Sequence, residues 1–133
     1  MSGVWYHPAR SHPRRLQGVS IGFLLGIDLG GSKLAIAIAD ADDADNPDGG
    51  LIAHKTRPSR ISGDPEADIL AIAADAADLI SRSGLAASDF DAAGLSVPGP
   101  IDHVRGAILA PPNLAGWEDV PLRDRMSELL GVP

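Results

Sequence analysis

The 133-residue sequence contains no cysteine, which excludes disulfides and any zinc site built on thiolates within this stretch. Positive charge is scarce: 11 Lys and Arg face 18 Asp and Glu, for a net charge of −7. That balance argues against binding a nucleic-acid backbone, which needs clustered cations. Aromatic residues make up only 4% of the chain, and no apolar run approaches the ~20 residues of a membrane helix. The first twenty residues carry Arg10, Arg14 and Arg15 but lack the apolar segment of a secretory signal, so a cytoplasmic location is expected. With two prolines and no helical period, residues 1–20 read as a disordered extension. The remainder has ordinary globular composition, and its length suits one domain with a modest core rather than two full lobes.

Residues 21–29, IGFLLGIDL, form an almost continuous apolar stretch that predicts a strand buried on both faces. Gly30 and Gly31 break it, and residues 33–40, KLAIAIAD, read as a second strand. The short connection predicts an antiparallel hairpin. An acidic loop follows, then a less apolar third strand over residues 51–57, expected nearer a sheet edge. Asp64, Pro65 and Glu66 mark a helix start. Ile69, Ile72, Ala73, Ala76 and Ile80 then form an apolar face, with Asp68, Asp75 and Arg82 expected opposite and Gly84 as the stop. Residues 90–97 predict a fourth strand parallel to the first, because a helix intervenes. A short strand at 107–110 and a last helix over 121–130 complete the reading. This hairpin-led α/β order departs from the strand–helix alternation of a doubly wound dinucleotide fold.

The segment Gly26-Ile27-Asp28-Leu29-Gly30-Gly31-Ser32-Lys33 combines a strand-end carboxylate, two glycines, a hydroxyl and an ammonium. Glycines let backbone amides approach an anion closely. Ser32 and Lys33 can donate to phosphate oxygens, and Asp28 can hold magnesium through its water shell. Phosphoryl transfer needs these roles, since it is mainly positioning and charge neutralisation. A Walker loop requires Lys before Ser or Thr and a helix afterwards, and the Rossmann spacing is absent. The residues alone also allow a plain Gly-Gly hairpin turn with a solvated Asp and Lys. The Asp-rich loop matches no EF-hand register, and His54 and His103 lack partners of ligand type at useful spacing. Asp102, Glu118 and Asp119 read as solvated surface carboxylates, and Trp117 as an anchor packing its loop on the core.

LGIDLGGSKLAIAIAD resembles the opening of the ROK family of kinases and repressors, whose G-I-D-x-G-G-[ST]-K hairpin holds phosphates. A second stretch, from Gly94 onward, resembles the family's P-G-P-[VI]-D and P-N-L-x-G-W segments. The resemblance implies a ribonuclease H-like, actin-like ATPase N-terminal lobe over residues 21–133, with a mixed sheet opened by an antiparallel hairpin and incomplete at its C-terminus. It implies ATP and Mg2+ as cofactors, with Asp28, Gly30, Gly31, Ser32 and Lys33 at the phosphates and magnesium. Pro98, Gly99 and Pro100 would border a hexose or N-acetylhexosamine, and Asn113 would approach it on its loop. An amide that merely satisfies its own loop is the alternative for Asn113.

By the same resemblance, the family's catalytic aspartate, its structural zinc motif and its second lobe lie beyond Pro133. The expectation is an N-terminal portion of a sugar kinase, inactive alone, from a protein that is a homodimer at full length. Two other readings stand beside it. A sugar-sensing repressor would need a helix-turn-helix ahead of the lobe, and the residues before the first strand are too few and show no helical pattern. A non-catalytic sugar- or nucleotide-binding module would leave the fourth strand's outer edge unpaired.

Overall fold

A computed structural model describes residues 3–6, 22–43, 47–48 and 50–133. Strands β1 (Gly3–Tyr6), β2 (Phe23–Leu29), β3 (Lys33–Asp40), β4 (Leu51–Pro58) and β5 (Phe90–Ser96) form one sheet in the order β1-β4-β3-β2-β5. Helix α1 (Pro65–Arg82) separates β4 from β5. A two-stranded ribbon of β6 (Ile101–Asp102) and β7 (Ala107–Ile108) precedes helix α2 (Leu122–Leu130).

The expected hairpin forms: β2 and β3 pair antiparallel from Phe23↔Asp40 to Leu29↔Leu34. The expected parallel pair forms too, with β5 alongside β2 and Asp28 opposite Ser96. Strand β4 pairs with β3 on one side, but β1 covers its other side, so β4 lies one strand in from the edge. Strand β1 lies within the stretch expected to be disordered. Its residues Val4, Trp5 and Tyr6 are strong strand formers, and extended backbone there completes the ladder along β4. The rest of residues 1–20 lies outside the described residues.

Among the described residues, the sheet is covered on one face. Phe23, Leu25, Ile27 and Leu29 of β2 point into the core, as do Leu34, Ile36 and Ile38 of β3, while Leu24, Gly26 and Asp28 are exposed. The expectation that the first strand is buried on both faces therefore fails for this chain. Its apolar run looked continuous because Leu24 and Gly26 fill the outward positions, where Leu24 is 42% exposed. On the outer face Gly26, Asp28, Ala35, Ala37, Gly94 and Ser96 line a shallow open depression, and their small side chains leave its floor near the level of the backbone.

Helix α1 supplies the other half of the core. Asp64 caps it, accepting from the N–H groups of Glu66 at 3.1 Å and Ala67 at 3.3 Å, and Pro65 opens it without a lost bond. Ile69, Ile72, Ala73, Ala76, Leu79 and Ile80 are buried against the sheet. Gly84, with φ of +74°, reverses the chain after the helix. Asp68 and Asp75 are not opposite the apolar face as expected. At 100° per residue Asp68 sits only about 40° from Ile72, and both carboxylates face neighbouring segments rather than water. Asp68 is 6% exposed, and Asp75 forms ion pairs with Lys55 and Arg57 of β4.

Helix α2 buries Leu122 and Met126 and ends at Gly131 in the left-handed conformation. Arg125 of α2 ties it to α1, its Nε lying 2.9 and 3.1 Å from the two oxygens of Glu66. The guanidinium bonded to Glu66 holds that carboxyl below its ordinary range. Beyond α2, the carbonyl of Pro133 accepts from the N–H of Ala93 at 2.7 Å, so the chain runs on beside the outer edge of β5. No helix among the described residues is long and apolar enough to cross a membrane.

Candidate functional site

Strands β2 and β5 are parallel, so their carboxyl ends open on the same side, where ligands of open α/β sheets gather. Asp28 and Ser96 are register partners at those ends, and both are exposed on the outer face. Asp28 makes no hydrogen bond or ion pair among the described residues. The same is true of the side chains of Ser32 and Lys33, which are exposed on the β2–β3 turn.

The turn closes with a 2.8 Å bond from the Gly30 N–H to the Lys33 carbonyl. That bond engages one of the expected anion donors and leaves the N–H groups of Gly31 and Ser32 without an acceptor among the described residues. Neither glycine in the turn has positive φ. Gly31 is instead closely packed: a Cβ there would come within 3.1 Å of the Asn113 Cβ. Asn113 thus lies directly against the turn. Two expected sites eighty residues apart in sequence are brought together, and the Asn113 side chain makes no hydrogen bond within its own loop.

The loop bearing Asn113 is fastened from below. Leu114 and Trp117 are each 1% exposed, so Trp117 is the core anchor that the sequence suggested. Its indole donates to Asp68 Oδ2 at 3.0 Å, while Asp68 Oδ1 accepts from the N–H and hydroxyl of Ser62. Pro98, Gly99 and Pro100 follow β5 directly, two residues past Ser96, and the Gly99–Pro100 peptide is cis. The β6–β7 ribbon continues from that turn. Asp102 accepts there from the N–H groups of Val104 at 3.0 Å and Arg105 at 3.1 Å, and Asp119 accepts from Arg105 at 2.7 Å. Among the described residues, no three His, Cys, Asp or Glu side chains cluster as metal ligands.

Sequence reasoning missed one residue that touches this site. Ser59, just past β4, donates its hydroxyl to the Gly30 carbonyl at 2.6 Å and its N–H to the Ser32 carbonyl at 2.9 Å. Only the register could have revealed it, since Lys33↔Pro58 pairing puts residue 59 beside the turn.

Several known proteins are similar to this chain. A glucokinase of Thermotoga maritima is 28% identical over 111 residues, covering 81% of this chain and 31% of its own length. The ROK hexokinase of Thermus thermophilus superposes with a TM-score of 0.67 at 32% identity, over 84% of this chain and 33% of that one. A ROK glucokinase from Streptomyces griseus, solved with glucose and AMPPNP, superposes with a TM-score of 0.65 at 26% identity, over 84% and 31% respectively. A ROK transcriptional regulator, with a TM-score of 0.67 but 16% identity, shares the fold alone. The fold is therefore the mixed-sheet α/β lobe of actin-like ATPase kinases, incomplete relative to those structures. The ROK family profile matches residues 24–133, and the chain belongs to the ROK family. It spans about a third of the length of the relatives it matches.

Proposed function

We propose that this chain is the phosphate-binding portion of an ATP-dependent sugar kinase acting on a hexose or N-acetylhexosamine in the cytoplasm. The observation that carries the reading is the meeting of three elements at one end of the sheet. They are Asp28 beside Ser96 at parallel strand ends, the Gly30–Gly31 turn with two N–H groups unengaged among the described residues, and Asn113 packed on Gly31. The glucokinases among the relatives, one of them solved with glucose and an ATP analogue, support both the sugar and the donor.

In this reading the Gly31 and Ser32 N–H groups, the Ser32 hydroxyl and the Lys33 ammonium receive phosphate oxygens. Asp28 fits a magnesium ion held through water, because its carboxylate is exposed and, among the described residues, has no partner and no further carboxylates that would form an all-protein cage. Such an ion supplies charge neutralisation on the phosphates. Pro98, Gly99, Pro100 and Asn113 border the sugar. Near the sugar-bordering turn and loop, Asp102 accepts from the N–H groups of Val104 and Arg105, and Asp119 from the Arg105 guanidinium.

A coupled ADP-release assay tests the reading. In the full-length protein that carries this chain, Asp28→Asn and Lys33→Ala should each lower sugar phosphorylation by roughly 100-fold or more. Wild-type turnover in either variant would defeat the assignment. The 133-residue chain alone should show no turnover of glucose, mannose or their N-acetylated amines above its own Lys33→Ala control.

A further inference from the structure

We infer that Ser59 is a positioning residue that aims the free Gly31 amide of the turn, an inference that rests on the proposed phosphate role of the hairpin. Its hydroxyl and its N–H hold the carbonyls of Gly30 and Ser32, at 2.6 and 2.9 Å, so one residue fastens the turn on both sides of Gly31. A peptide unit is planar and trans, so its N–H points opposite to its carbonyl. Holding the Gly30 carbonyl on Ser59 therefore turns the Gly31 N–H away from the protein, where an anion can reach it. The 2.8 Å bond from the Gly30 N–H to the Lys33 carbonyl holds the preceding Leu29–Gly30 peptide plane, so among the described residues Ser59 alone restrains the plane that carries the Gly31 N–H. A glycine pair is the backbone least able to hold such an orientation by itself.

Ser59 is itself immobilised. It is 5% exposed, and its carbonyl accepts from Arg57 Nη1 at 3.0 Å. The Arg57 Nε is bonded to Asp75 of α1, which also holds Lys55. A rigid path thus runs from α1 through Asp75, Arg57 and Ser59 to the turn. Fixed donors of this kind need no reorganisation when an anion arrives, which is the electrostatic advantage of a preformed site.

The test uses the 133-residue chain and inorganic triphosphate with magnesium, followed by 15N–1H NMR. Wild-type protein should show saturable shifts centred on the amides of Gly31 and Ser32. Ser59→Ala should raise the dissociation constant about tenfold, with free-state shift changes confined to residues 30–33 and α1 resonances unmoved. Ser59→Thr, which keeps the hydroxyl, should restore binding. Ser59→Cys keeps the volume with a poor donor and carries the same expectation should the alanine variant not fold. Wild-type affinity in Ser59→Ala or Ser59→Cys overturns the inference while leaving the hairpin reading intact. Absence of binding by the wild type overturns the hairpin reading and this inference with it.

Discussion

Trp117 donates its indole N–H to the buried carboxylate of Asp68 at 3.0 Å, across forty-nine residues of chain. The bond joins the loop that carries Asn113 to the first turns of α1, and so sets the height of that loop over the β2–β3 turn. Trp117→Phe keeps a six-membered aromatic ring but removes the donor and part of the buried volume, leaving one buried oxygen of Asp68 unsatisfied. The expected cost is about 1–3 kcal/mol of unfolding free energy in urea at pH 7. The Gly31 amide resonance should shift as well, since Asn113 rests on it. An unchanged midpoint would show that the Trp117–Asp68 bond does not hold the loop.

Asp75 makes stability depend on acid pH. Burial works to raise its pKa, but the hydrogen bonds and charges of Lys55 and Arg57 outweigh that and hold it below its ordinary 3.8. A carboxyl with a lowered folded-state pKa contributes stability that is fully present above its unfolded value and is lost as pH falls through the folded one. Stability from this group is therefore flat from pH 7 to 5 and declines below about pH 4. Asp75→Asn should cost on the order of 3 kcal/mol at pH 7, by stranding two cations, and should flatten that acid slope in a chemical-denaturation series. A variant that loses stability at neutral pH but keeps the wild-type slope would contradict the pairing.

Two glycines give opposite expectations. A Cβ at Gly116, where φ is +85°, would lie 2.1 Å from the Gly63 carbonyl oxygen, whereas one at Gly26 meets nothing within 4 Å. Gly116→Ala should therefore cost more than about 2 kcal/mol through backbone strain and displacement of the Trp117 loop. Gly26→Ala should be neutral or stabilising by up to about 1 kcal/mol in this chain. Thermal unfolding of both variants, side by side, checks the contrast.

The elements readable from sequence were those with strong local signals. The hairpin at Gly30–Gly31, the Asp64–Pro65 start of α1 and the left-handed Gly131 cap each depend on residues adjacent in the chain. What escaped depends on register and on distant partners. Asp68 and Asp75 looked like a solvated flank because nothing local announces that Trp117, Lys55 and Arg57 will face them. Strand β1 is too short to stand out until β4 offers it an edge. The first strand's outward side reads as apolar by composition, and only the absence of a covering layer among the described residues exposes Leu24. At the site, Asp28, Ser32 and Lys33 carry their own chemistry within one short segment, whereas Asn113 enters only through the family resemblance. Ser59 was not legible, because a serine after a strand has no meaning until the strand pairing sets it beside Gly30.

The most direct measurement is an amide-resolved NMR titration of the 133-residue chain with ATP and magnesium, run beside Lys33→Ala. The account predicts saturable perturbation of Gly31, Ser32 and Lys33, weakened by the substitution, with the amides of β1 and the β6–β7 turn unmoved. Perturbations scattered over the surface, or equal in both proteins, would show that the hairpin is an ordinary turn and that its acid, hydroxyl and ammonium serve no nucleotide.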